Sequence, residues 1–151
     1  MSDPEFACAF SHSKIYHKII EREISCAIIL ENDITISDQL VPFFYNPHLD
    51  VLCLAYNAEN GFAISQNLMI TSDTQTMSCY ILKASAISEL LDCIRFSVEN
   101  LSLGGAGFDY ANDQFWKRLQ RQMFFALTKD HFARQRPSFS DIEQSHQNYG
   151  L

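Results

Sequence analysis

The sequence has no Cys-x-x-Cys pair, although it carries five cysteines, at positions 8, 26, 53, 79 and 93. Thiols paired at that spacing are the usual start of a structural zinc site, so their absence argues against one. An odd number of widely spaced cysteines, most inside apolar segments, reads as buried reduced thiols rather than a disulfide framework. Basic residues are scarce: 11 Lys and Arg stand against 18 Asp and Glu, for a formal charge of -7. That balance excludes non-specific binding to a nucleic-acid backbone, which needs clustered cations. No apolar run approaches the ~20 residues that span a bilayer. The opening residues lack the charged-then-apolar layout of a secretory leader, so a cytoplasmic location is expected. Internal repeats and low-complexity runs are missing as well.

What remains is a chain of 151 residues, 47% hydrophobic and 19% charged, suited to one globular domain. The expected boundaries are a single domain over 1–133 and a polar, mobile C-terminal tail over 134–151. Residues from about Ala9 to Glu23 read as a helix with Ile15, Ile19 and Ile20 on one face. Cys26 to Leu30 is uniformly apolar, as in a strand buried on both faces, and it stops at three polar residues. Ser37 or Asp38 can cap a short helical turn leading to Val41 and Pro42. Asp50 to Tyr56 is a second buried strand, Gly61 to Ile70 a short strand or hairpin arm, and Met77 to Leu82 a third strand. From Ala84 to Val98, residues Ala84, Ile87, Leu90, Leu91, Ile94 and Val98 form one apolar helical stripe. A glycine-rich connection at 104, 105 and 107 then leads into a helix over Asp109 to Gln122. Phe124 to Leu127 reads as the last strand. Strands alternating with helices predict an α/β sheet, whose working groups lie beyond the carboxyl ends of its strands.

Glu31 and Asp33 stand at such a position. Two carboxylates one residue apart can face one cleft, and Mg²⁺ or Mn²⁺ prefers oxygen ligands of this kind. On spacing alone a solvated turn after a strand accounts for them better. Asp113, read by itself, is a carboxylate favoured by a helix N-terminus. His12, after the Ser11 hydroxyl, is a helix cap or a satisfied buried imidazole more readily than a ligand. Cys8 has no base placed to activate it as a nucleophile. His131 and His146 lack partners that would single them out as metal ligands. Trp116, Tyr80 and Phe108 can stack on a ring-shaped ligand, though aromatic residues at helical spacing usually belong to a core. The glycines are not a phosphate loop, since no Lys-Ser/Thr follows them; a hinge or cleft-side loop fits better.

Four blocks in order extend this reading. Glu5-Phe6-Ala7-Cys8-Ala9-Phe10-Ser11-His12 resembles the Glu-x-x-Cys-x-x-Ser-His signature of glycosyltransferase family 25, the lipooligosaccharide-type transferases. Ile29-Leu30-Glu31-Asn32-Asp33 is similar to that family's Leu-Glu-Asp-Asp strand end, with Asn32 in place of the middle Asp. Ser78-Cys79-Tyr80-Ile81-Leu82 and Asn112-Asp113-Gln114-Phe115-Trp116 resemble its later strand and Val-Asp segment, and Ser140-Asp141-Ile142 a closing Ser-Asp-Ile. The resemblance implies a GT-A-like α/β fold, N-terminally truncated, because the family has a first nucleotide-binding strand ahead of the Ser-His block. It implies transfer of a hexose, typically galactose, from a nucleotide-diphosphate donor to a lipid-linked lipooligosaccharide or lipopolysaccharide acceptor. Glu31 and Asp33 would hold Mn²⁺ or Mg²⁺. Asp113 or Asp109 would act as base, and Ser11, His12, Asn32 and Tyr80 would contact donor or acceptor. A lipid-linked acceptor implies peripheral association with the inner membrane. The alternative is a non-catalytic remnant that binds a partner or forms a homodimer through an exposed sheet edge.

Overall fold

A computed structural model describes residues 3–37, 48–58, 60–140 and 144–148. The cap expected at Asp38, with Val41 and Pro42, lies outside the described residues, as do Asp141 and Ile142 of the closing block. The helices are α1 (Asp3–Glu21), α2 (Ile87–Ser102), α3 (Gly107–Tyr110) and α4 (Asn112–Phe115). The strands are β1 (Cys26–Leu30), β2 (Ile34–Ile36), β3 (Val51–Ala58), β4 (Phe62–Ala63), β5 (Leu68–Ile70), β6 (Thr74–Lys83), β7 (Phe125–Thr128), β8 (Ala133–Gln135), β9 (Ser138–Ser140) and β10 (Ser145–Gln147).

Helix α1 starts well before Ala9, with Pro4 in its first turn, where a missing N–H costs no helical hydrogen bond. Its inner stripe is Ala9, His12, Tyr16 and Ile19, all buried, at spacings of three and four. Ile15 and Ile20, expected on that face, are 37% and 51% exposed. The face is decided by the polar ends of His12 and Tyr16, which find partners inside the protein; hydropathy alone cannot register that gain.

Six strands form one mixed sheet in the order β1-β6-β3-β7-β5-β4. Among the described residues only β3 and β7 are parallel neighbours; β6 runs antiparallel to both β1 and β3. Strands β1, β3 and β7 therefore point the same way, and their carboxyl ends share one rim of the sheet. Helices α1, α2 and α4 cover one face over a core that includes Tyr16, Tyr80, Leu90, Trp116 and Phe125. Leu52, Leu54, Ile81 and Ala126 belong to a second buried cluster that includes Ala133 of β8.

Three expectations need correction. Strand β1 is not buried on both faces but lies at the sheet's edge, with Ile29 4% exposed while Ile28 and Leu30 are 56% and 45% exposed. An unbroken apolar run reads the same whether or not its second face is covered. The helix over Asp109 to Gln122 is broken at Ala111 (φ -56, ψ 148) into α3, α4 and a 3-10 stretch over Trp116–Arg121. There the Tyr110 carbonyl accepts the Ser97 hydroxyl, and the Gln114 amide donates to the Ala111 carbonyl, so the ladder restarts. Finally, β7 is followed by β8, which pairs with β2, and by the β9–β10 hairpin.

Strand β6 carries an irregularity at the same rim. Its register with β3 shifts between Cys79 and Gln75, and Thr76 inside the shift has φ of 73°. Positive φ is unusual for a β-branched residue and marks local strain. Side chains beneath hold the strand end: Gln120 exchanges two hydrogen bonds with the Thr74 backbone, at 2.9 and 2.8 Å, and Trp116 Nε1 donates to the Thr74 carbonyl at 2.9 Å.

Candidate functional site at the rim of the sheet

The Glu31 amide donates to the Ser78 carbonyl at 2.9 Å, extending the β1–β6 ladder one residue past β1. The Ile34 amide then donates to the Glu31 carbonyl at 3.4 Å, closing a turn that displays Glu31, Asn32 and Asp33. Residues distant in sequence brace this turn. Gln135 Nε2 donates to Asp33 Oδ2 at 2.8 Å, and Arg136 donates to the carbonyls of Asn32 and Asp33. Sequence reading assigned both residues to a tail and missed them; no local signal links positions a hundred residues apart.

Helix α1 brings a second set of groups to the turn. His12 is 4% exposed, its Nδ1 is 2.8 Å from the Tyr80 hydroxyl, and that hydroxyl is 2.6 Å from the Tyr16 hydroxyl. The pinned ring directs Nε2 toward Glu31, 3.8 Å from Oε1. Cys8 lies one helical turn before His12, and ligand atoms of Cys8, His12 and Glu31 all fall within 4.8 Å of one another. Burial, then the charges of Glu31 and Asp113, push the Cys8 thiol up to about 12. His12 is thus nearer to Cys8 than sequence reading allowed, but a thiol so raised is no nucleophile at neutral pH. The spacing of Cys8 and His12, four apart on one helix, was the available signal for their convergence.

Asp113 opens α4 on the same side. Burial raises its pKa, its own and Gln114's backbone amides and then Lys117 oppose the rise, and Glu31 adds to it. Lys117 is paired with Asp73 at 3.0 Å. The adjoining Asn112 is buried with neither side-chain amide atom hydrogen-bonded, and Ser78 Oγ and Asp33 Oδ1 are likewise buried without partners.

The other expected residues sit as follows. Ser11 is mid-helix and exposed, its hydroxyl donating to the Ala7 carbonyl, so it is not a cap. Tyr80 is fully buried, its hydroxyl against His12 and Tyr16. Asn32 and Asp109 are exposed. Trp116 is fully buried, whereas Phe108 is 78% exposed. His131 stacks on Tyr56 at 4.2 Å and His146 packs against Phe139, both outside the three-ligand group. Gly104 takes φ 90° just past the end of α2, and Gly107 leaves room for Glu5, whose Oε1 would stand 2.5 Å from an added Cβ.

Glu31 and Asp33 supply hard carboxylate oxygens of the kind Mg²⁺ or Mn²⁺ prefers, but the group of potential ligands that converges among the described residues is Cys8, His12 and Glu31, while Asp33 Oδ2 is taken by Gln135. No helix among the described residues is long and apolar enough to cross a membrane. No curated protein matches the chain. The sequence model of glycosyltransferase family 25 (LPS biosynthesis protein) matches residues 1–89, which span α1, the acidic turn, β6 and the start of α2, and the chain belongs to that family.

Proposed function

We propose that this chain transfers a hexose, galactose foremost, from a nucleotide-diphosphate donor to a lipooligosaccharide or lipopolysaccharide acceptor on a GT-A-like fold. The observation that carries the reading is the acidic turn beyond β1, facing a buried carboxyl whose basicity is raised. Asp113 takes the proton from the acceptor hydroxyl as that oxygen bonds to the anomeric carbon and the diphosphate leaves with the electrons of the broken C–O bond. Burial makes Asp113 a stronger base than an exposed aspartate. Glu31 and Asp33 would hold a divalent ion, whose chemistry is to offset charge on the departing diphosphate. Gln135 and Arg136 keep that turn in place, and His12, held by Tyr80, orients Glu31. Because the acceptor is lipid-linked, the protein works at the cytoplasmic surface of the inner membrane.

Thermal unfolding with Mn²⁺ and a uridine or cytidine diphospho-hexose tests the reading. A ligand at a hundred times its Kd stabilises the native state by about 2.7 kcal/mol, a rise of about 5–10 °C for a chain of this size. Asp33→Ala should remove the metal-dependent part of the rise. No shift with either nucleotide sugar would contradict the proposal.

A further inference from the structure

We propose that Cys8, His12 and Glu31 form a site for a thiophilic divalent cation, Zn²⁺ foremost, which shares Glu31 with the turn but does not need Asp33. The inference does not depend on the transferase reading. Its basis is convergence: a thiol, an imidazole nitrogen and a carboxylate oxygen, all within 4.8 Å of one another, come from α1 and the turn after β1. Ligands of a tetrahedral zinc lie roughly 3.5 Å apart, so closing on an ion requires movements of about an ångström, within reach of rotamer adjustment.

Three further features suit a metal. Cys8 and His12 are four residues apart on a regular helix, which fixes their separation before any ion arrives. The imidazole is already held from behind, as in most metal-bound histidines: Nδ1 is 2.8 Å from the Tyr80 hydroxyl, itself 2.6 Å from the Tyr16 hydroxyl, and the tautomer with its proton on Nδ1 turns an Nε2 lone pair toward Glu31. The neighbourhood is also short of positive charge. The carboxylates of Glu31 and Asp113 stand near the Cys8 thiol, and the nearby Lys117 is paired with Asp73. A dication balances those carboxylates, and the thiol proton is released as the Cys8 sulfur binds it. A thiolate and an imidazole select zinc over magnesium or manganese. Three protein ligands leave a fourth position for water or a substrate oxygen, the arrangement of catalytic rather than closed structural zinc sites.

Titration of the full chain with Co²⁺ tests the site. We expect tetrahedral visible bands with a thiolate-to-cobalt charge-transfer band, both bleached by Zn²⁺. Cys8→Ser should abolish the charge-transfer band and weaken Zn²⁺ binding at least tenfold. Cys26→Ser, at the exposed cysteine, should leave both intact. Asp33→Asn should also keep the band, which separates this site from the hard-ion turn. Co²⁺ binding without the band, or loss of the band in Cys26→Ser, would overturn the proposal. X-ray absorption of the zinc-loaded wild-type chain needs no variant: one sulfur at about 2.3 Å supports the site, and a shell of nitrogen and oxygen alone refutes it.

Discussion

Removing the Tyr80 hydroxyl should loosen the site and the core together. Its oxygen lies 2.8 Å from His12 Nδ1 and 2.6 Å from the Tyr16 hydroxyl. Tyr80 and Tyr16 are 0% exposed and His12 is 4% exposed, so water cannot replace the lost bonds. Tyr80→Phe keeps the ring and its edge-on packing against Trp116 but orphans two buried groups. Each orphan costs ~1–3 kcal/mol, and the lower end for both gives about 2 kcal/mol. That corresponds to a fall in melting temperature of about 4–8 °C for a chain of this length. Urea unfolding followed by the fluorescence of Trp116, the chain's one tryptophan, measures the change directly. Tyr16→Phe in addition should cost less than the two single changes summed, by about 1 kcal/mol, because the double variant strands only His12. A Tyr80→Phe variant within ~0.5 kcal/mol of wild type, or strict additivity in the cycle, would refute the hydrogen-bonded chain.

Asp113→Asn should stabilise the protein at neutral pH. Burial raises the Asp113 pKa in the folded state, so its contribution to stability is full below the ordinary value of 3.8 and is lost as pH rises through the raised value. The variant escapes that loss; its melting temperature should exceed wild type at pH 7 and converge with it on acidification, and an advantage that grows toward low pH would reverse the sign of the argument. Gly105→Ala and Gly107→Ala should differ in cost. An added Cβ at Gly105 meets the Asn100 carbonyl at 2.8 Å and the Tyr110 ring at 2.7 Å, whereas at Gly107 it meets only the Glu5 side chain. Unfolding measurements should find the Gly105 change costing ~1–3 kcal/mol and the Gly107 change less; equal costs would count against the packing described.

The helices and strands with strong periodicity were legible from the sequence because hydropathy carries their pattern. The stripe on α2 and the strand at β1 are where the spacing puts them, and the ladder ends at Glu31 as its polar residues suggest. Three things were hidden for a common reason: they depend on polar groups meeting across the fold. The inner face of α1 pairs Ile19 with a histidine and a tyrosine rather than with Ile15 and Ile20. The break at Ala111 follows from a hydroxyl on α2 that takes the Tyr110 carbonyl. The bracing of Asn32 and Asp33 by Gln135 and Arg136 joins segments a hundred residues apart, in a part of the chain whose polarity reads as a tail. The site was half visible: Glu31 and Asp33 as a pair, Asp113 through a family resemblance. Cys8 was set aside for want of a base, and its place beside His12 and Glu31 follows from α1 meeting the turn after β1, which no local pattern announces.

Transfer of hexose from a nucleotide-diphosphate donor to truncated lipooligosaccharide, in Mn²⁺, tests the central claim most directly. The account predicts transfer by the wild-type chain, a fall of ~10²–10⁴ in Asp113→Asn as expected for loss of a general base, and little change in Asp92→Asn, at an exposed pair on α2. Transfer by Asp113→Asn at the wild-type rate, or none by the wild-type chain with any donor, would contradict it.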